Sequence, residues 1–146
     1  MLTPHAGELA RLLGLQREEV EADPLTAVRT AAASTGCTVL LKGATQYVGT
    51  PGETRVRLAV AGPGWTAQAG SGDVLAGACG ALLAAGLAPF EAALAAASIQ
   101  AITAGEYPGP LPPQAIAERM FNLVSEMVRN SGGASRRSSP SREVRG

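Results

Sequence analysis

A single histidine, a single lysine and two cysteines are the whole supply of several chemistries in this chain. A structural zinc site, which takes four nitrogen or sulfur ligands, is excluded by that shortage. Cys37 and Cys79 are far apart, form no CxxC and sit in apolar surroundings, so they read as buried free thiols of a reducing compartment. Aromatic residues make up 3% of the chain, and no basic stripe interleaves with them, so a nucleic-acid surface is not expected. No apolar run free of Gly and Pro is long enough to span a membrane, and no basic-plus-apolar leader opens the chain. A cytoplasmic protein without membrane partners is the expectation.

What the chain has in quantity is Ala, Leu and Val, which suit helices packed closely on a sheet. Its 146 residues suffice for one domain, or part of one, and not for two. A formal net charge of zero hides an uneven distribution. Residues 1–128 hold seven basic and 11 acidic side chains, a net of −4, whereas five arginines lie at or beyond position 129. From Ser131 onward Ser, Gly and Arg dominate and no apolar period recurs, so residues 131–146 are expected to be a disordered basic tail.

Met1 to His5 reads as a strand end running into a loop, because Pro4 holds Thr3 extended and stops a ladder. A short helix from Gly7 to Leu13 follows, stopped by Gly14, and then an acidic linker with Glu18, Glu19 and Glu21. Asp23-Pro24 opens a helix to about Thr35, ended by Gly36. Cys37 to Lys42 is a continuous apolar run of the kind a parallel strand buried on both faces shows. A hairpin follows, Gln46 to Gly49 and Arg55 to Val60, turning at Thr50-Pro51-Gly52-Glu53 with Val56 and Leu58 alternating.

After a glycine-rich loop, a helical pattern runs from Asp73 to Ala85, with Gly77, Ala78, Gly80 and Ala81 suited to close backbone approach. Two more helices are predicted, Phe90 to about Ala104 and Gln114 to about Arg129. This order predicts an α/β fold with a mostly parallel sheet, a β-hairpin, and ligand loops at the carboxyl ends of strands.

Three places can carry chemistry, and each has a plain structural alternative. Gly70-Ser71-Gly72-Asp73 puts flexible backbone, a hydroxyl and a carboxylate at a helix start, where free N–H groups can hold an anion; a structural turn would read the same. Lys42-Gly43-Ala44 puts the only lysine at a strand end, either as a cation for a phosphate or as a solvated cap. His5, with Glu8, lies at another strand end, as a ligand contact or a helix-start residue. A parallel sheet would bring all three to one edge.

Thr3-Pro4-His5-Ala6-Gly7-Glu8, then Leu41-Lys42-Gly43-Ala44, then Ala69-Gly70-Ser71-Gly72-Asp73-Val74-Leu75-Ala76-Gly77 resemble the successive signatures of the ADP-dependent NAD(P)H-hydrate dehydratases, of the ribokinase-like superfamily. The resemblance implies a three-layer ribokinase-like fold and the conversion of (S)-NADHX or (S)-NADPHX with ADP to NADH or NADPH, AMP and phosphate. It implies Asp73 as the base and a hydrate contact, His5 as a hydrate contact, and Gly70, Ser71 and Gly72 as an anion hole. Lys42, Gly43, Ala44, Thr45 and Gln46 match a nucleotide-binding stretch whose fifth position is usually threonine, and Gly72 matches a further nucleotide contact. ADP as co-substrate and Mg2+ are the implied cofactors, and a second copy of the chain or an epimerase the implied protein partners.

The resemblance runs from residue 2 to about residue 128 and covers the C-terminal half of the family's domain. The expectation is therefore a fragment with weak or no dehydratase activity by itself. A vitamin-precursor kinase of the same superfamily and a non-catalytic nucleotide-binding module remain alternative readings.

Overall fold

Capping chemistry sets most of the element boundaries. The structure, a computed structural model, describes residues 1–135. Helix α1 (Ala6–Leu13) starts from His5 and stops at Gly14, whose φ of 68° turns the chain away. The acidic stretch expected as a linker is instead a helix, α2 (Arg17–Ala22). Its causes are local: Glu19 accepts from the Gln16 N–H at 2.7 Å, Arg17 pairs with Glu21 at 2.7 Å, and Val20 is fully buried. The charges that suggested a linker are its solvated side. Helix α3 (Pro24–Thr35) begins where Asp23 accepts from the Thr26 N–H at 3.0 Å.

Strands β1 (Val39–Leu41), β2 (Tyr47–Gly49) and β3 (Arg57–Leu58) pair in sequence order, each antiparallel to the next. The turn between β2 and β3 has Glu53 N–H donating to Thr50 O at 3.2 Å, with Gly52 at φ 80°, which a side chain would resist. Parallel pairing, expected for most of the sheet, is confined among the described residues to 2–5 against β1 and the residue after it. There Leu2 donates to Thr38, Leu40 to Leu2 and Lys42 to Pro4, each at 2.8 Å. Connection length explains the balance, since a parallel neighbour needs a long crossover, here α1 to α3, whereas short loops can only reverse the chain.

Helix α4 (Ser71–Ala84) starts two residues before the expected Asp73. Helices α5 (Pro89–Gly105) and α6 (Pro113–Ser135) follow. Side chains on β1 alternate between two cores, which makes the fold three-layered. Val39 and Leu41 join Leu9, Val20, Val28 and Ala31 from the first three helices, while Leu40 joins Val48, Leu75, Cys79, Ala93 and Ala97 on the other face. Burial in this second core pushes the Cys79 thiol up; Cys37, expected buried too, is only half-buried.

Three details differ from the sequence reading. Gly77 and Gly80 are exposed, and a Cβ on either would meet nothing within 4 Å, because α4 buries its opposite side through Leu75 and Cys79. Leu58, expected to share the inward side of the hairpin with Val56, is exposed, and only Val56 packs on the first core. Helix α6 continues to Ser135, past the expected end near Arg129 and into the stretch expected to be disordered; poor helix formers mark a boundary only weakly. The remaining tail, 136–146, lies outside the described residues. Among the described residues no helix is long and apolar enough to cross a membrane.

Candidate functional site

Parallel pairing of residues 2–5 with β1 sets His5 beside Lys42 at one end of the sheet. His5 is the N-cap of α1, its Nδ1 accepting from the N–H groups of Gly7 at 3.1 Å and Glu8 at 3.2 Å. Glu8 returns the bond, accepting from the His5 N–H at 2.8 Å. The same carboxylate lies 3.5 Å from His5 Nε2 and 3.8 Å from Lys42 Nζ. His5, Glu8 and Lys42 are thus one electrostatic group.

The hydrogen bond from the His5 N–H, helped by the Lys42 ammonium, outweighs partial burial and holds the Glu8 carboxyl below the usual carboxylate range. A folded pKa below the unfolded one stabilises the fold at pH above the unfolded value, and the gain is lost as pH falls through the folded pKa. Glu8→Gln keeps an oxygen for the His5 N–H and loses the charge. The stability difference between wild type and variant is therefore expected to be largest near neutral pH and to shrink on acidification. Because Glu8 is half exposed, the effect should be small, about 0.5 kcal/mol or less. Thermal scans between about pH 7 and about pH 3 check this, and a difference that stays constant with pH would contradict it.

Lys42 extends from the end of β1 to the start of α4. A Cβ at Gly72 would stand 3.1 Å from Lys42 Nζ, so glycine at this position gives the ammonium room against the helix end. Gly70 begins α4 at φ 87°, and no side chain caps the helix. Of the first amides, that of Ser71 donates to Gln68 O at 3.1 Å, and those of Asp73 and Val74 to Gly70 O at 3.2 Å. The Gly70 and Gly72 N–H groups make no hydrogen bond to the described residues. A free amide beside an ammonium at a positive helix end is suited to an anion.

Lys42 and Gly72 border a cleft of about 620 Å³ whose walls also include His5, Gln46, Ser71 and Gln100. Gly43 and Ala44 line it too; Thr45 lines an adjoining cavity of about 630 Å³ that shares His5, Lys42, Gly43 and Ala44 with it. Gly70 and Asp73 are exposed and line neither. Gln46 has its backbone O accepting from Ala59 at 3.1 Å and its Oε1 buried without a partner. Among the described residues no three His, Cys, Asp or Glu side chains come together as a metal cage.

Gln100 was missed by sequence reasoning. It is buried in α5 and donates from Nε2 to Ser71 O at 3.0 Å, tying α5 to the first turn of α4. A signal was available, because Gln100 falls at helical spacing from Ala93, Ala97 and Ala104, all fully buried. A carboxamide on a buried stripe needs a partner.

Residues 1–110 match the family model described as NAD(P)H-hydrate dehydratase. The chain is 48% identical over 97 residues to the ADP-dependent (S)-NAD(P)H-hydrate dehydratase of Neisseria meningitidis, covering 66% of this chain and 32% of that protein. It is 49% identical over 128 residues to the bifunctional NAD(P)H-hydrate repair enzyme Nnr of Mycobacterium leprae, covering 85% of this chain and 26% of that one. Its fold matches the ADP/ATP-dependent NAD(P)H-hydrate dehydratase of Bacillus subtilis, crystallised with ATP/Mg2+, with a TM-score of 0.78 at 23% identity, over 86% of this chain and 47% of that one. A ribokinase-like superfamily protein of Enterococcus faecalis aligns with a TM-score of 0.70 at 22% identity, over 86% of this chain and 44% of that one. The chain thus spans less than half the length of these relatives.

Proposed function

The chain belongs to the NAD(P)H-hydrate dehydratase family, and from that membership we propose that it carries the nucleotide and phosphoryl-transfer part of a site for ADP-dependent dehydration of (S)-NADHX or (S)-NADPHX. The products are NADH or NADPH, AMP and phosphate. The observation that carries the proposal is the approach of Lys42 Nζ to Gly72 at the uncapped start of α4.

In this reading the ADP phosphates sit in the cleft against Lys42 and the free amide of Gly72 and reach out to that of Gly70 beside it, with Gly43, Ala44, Thr45 and Gln46 around the rest of the nucleotide. The Ser71 amide joins the anion hole by exchanging its bond to Gln68 O for one to phosphate. Asp73 takes the proton of the hydrate's ring hydroxyl, whose oxygen attacks the β-phosphorus of ADP and displaces AMP. The ring nitrogen's lone pair then expels the phosphate, and loss of a neighbouring ring proton restores the double bond. The enzyme's share is positioning and charge stabilisation, which dominate phosphoryl transfer.

Mg2+ would be held chiefly by the nucleotide's phosphate oxygens, as it commonly is, the described residues offering no cage of their own. A cytoplasmic location fits a nucleotide co-substrate and unpaired thiols.

Lys42→Ala is expected to weaken ADP binding roughly ten- to hundredfold, the loss of a charge-assisted contact. Titration calorimetry of ADP against the full chain checks this. Wild-type binding that the substitution leaves unchanged, or no binding at all, would overturn the nucleotide assignment.

A further inference from the structure

The His5-Ala6-Gly7-Glu8 segment does more than start a helix. His5 Nδ1 accepts two backbone N–H groups, at 3.1 and 3.2 Å, and an imidazole nitrogen that accepts cannot carry a proton. The neutral ring must then hold its proton on Nε2, which lies 3.5 Å from Glu8 Oε1 without a hydrogen bond to it and so stays available to a ligand. Two further features hold the ring in that pose. Glu8 accepts from the His5 N–H at 2.8 Å, closing a reciprocal cap. Gly7 leaves room for the imidazole, since a Cβ there would stand 3.2 Å from His5 Cε1 and 3.4 Å from Nδ1.

We propose that Glu8 is a positioning residue that, through the reciprocal cap on α1, locks His5 as the Nε2–H tautomer, so that His5 meets its ligand as a hydrogen-bond donor. The groups it can recognise are therefore acceptors: a hydroxyl oxygen, a carboxamide carbonyl or a phosphate oxygen. A ligand offering only a donor at that place meets no acceptor, because Nδ1 is spent on the helix. The lock itself follows from the cap geometry; the identity of the ligand rests on the dehydratase reading. Glu8 also reaches Lys42, so the same carboxylate orients both the ring and the cation that border the cleft.

His5 is the only histidine in the chain, so its imidazole can be read without assignment ambiguity. In long-range proton–nitrogen correlation spectra of the nitrogen-labelled full chain at slightly alkaline pH, Nδ1 is expected in the unprotonated, acceptor range and Nε2 in the protonated range. Two averaged nitrogens, or a protonated Nδ1, would overturn the lock. Glu8→Ala is expected to move both nitrogens toward the averaged pattern of a free imidazole, whereas Glu8→Gln, which retains an acceptor for the His5 N–H, should restore most of the wild-type pattern. An unchanged spectrum in Glu8→Ala would remove Glu8 from the role. Gly7→Ala gives an independent check by crowding the ring directly, and the same shift toward averaging is expected.

Titration with hydrated NADH should move the Nε2–H resonance while Nδ1 stays unprotonated; protonation of Nδ1 on binding would contradict the donor role. ADP binding separates the two readings. A locked tautomer in a chain that does not bind ADP leaves the lock standing and removes the nucleotide reading, and ADP binding with an averaged imidazole does the reverse.

Discussion

Under the proposed function, Asp73→Asn is expected to lower whatever ADP-dependent formation of reduced nicotinamide from (S)-NADHX the wild-type chain supports by about 10²–10⁴-fold, the usual worth of a positioned general base, with ADP affinity unchanged or slightly raised. The two effects separate because of where Asp73 stands. It is exposed on the first turn of α4, and in the proposed reaction its carboxylate meets the hydrate's hydroxyl and not the phosphates, so its replacement removes a proton acceptor and no nucleotide contact. Asparagine has nearly the same shape and preserves the turn, but cannot take a proton. It also removes a negative charge near the phosphates, which can only favour an anion. Absorbance of the reduced nicotinamide gives turnover and calorimetry gives binding. Equal turnover in the two proteins would remove the base assignment, and a parallel loss of binding and turnover would make Asp73 a structural residue.

The second large effect is on folding. Gly49 lies at the end of β2 under α3, where a Cβ would stand 2.6 Å from Val28 Cγ1. Carbon atoms do not approach so closely, and Val28 is fully buried with a β-branched side chain that has little rotamer freedom. Gly49→Ala must therefore push α3 off the sheet or strain Val28, at a cost of about 1–3 kcal/mol and a fall in Tm on the order of 5–10 °C. Glycine here serves close approach, not a positive φ, so the cost should be relieved by making room. Adding Val28→Ala should cost much less in the Gly49→Ala background than alone, giving a coupling of about 1–2 kcal/mol in a thermal-unfolding double-mutant cycle. Additive losses would show that the contact does not limit the packing.

Both sites show what could be read ahead of the fold. The start and stop of α3 were legible because each rests on one or two adjacent residues, Asp23-Pro24 and Gly36. The turn at Pro51-Gly52 was legible for the same reason. Helix α2 was not, because its apolar signal is the single residue Val20, and only the core that Val20 enters distinguishes a six-residue helix from a charged linker. Gln100 was overlooked although its spacing marked it, since a buried amide announces only that some partner exists, and Ser71 lies 29 residues away.

The order of the elements other than α2, most caps and turns, and the motifs that mark the family were determined by the amino-acid sequence alone, because those signals are carried by neighbouring residues and local backbone preference. Tertiary structure decided the rest of the site. It brought Lys42 to Gly72, gave Glu8 both His5 and Lys42 to hold, and set Asp73 and Thr45 off the walls of the cleft that Lys42 and Gly72 border. The physical reason is that distance and direction between separate segments follow from how two cores stack α1 to α3 and α4 to α5 on a short sheet. That stacking is a property of packed surfaces, and no local periodicity specifies it.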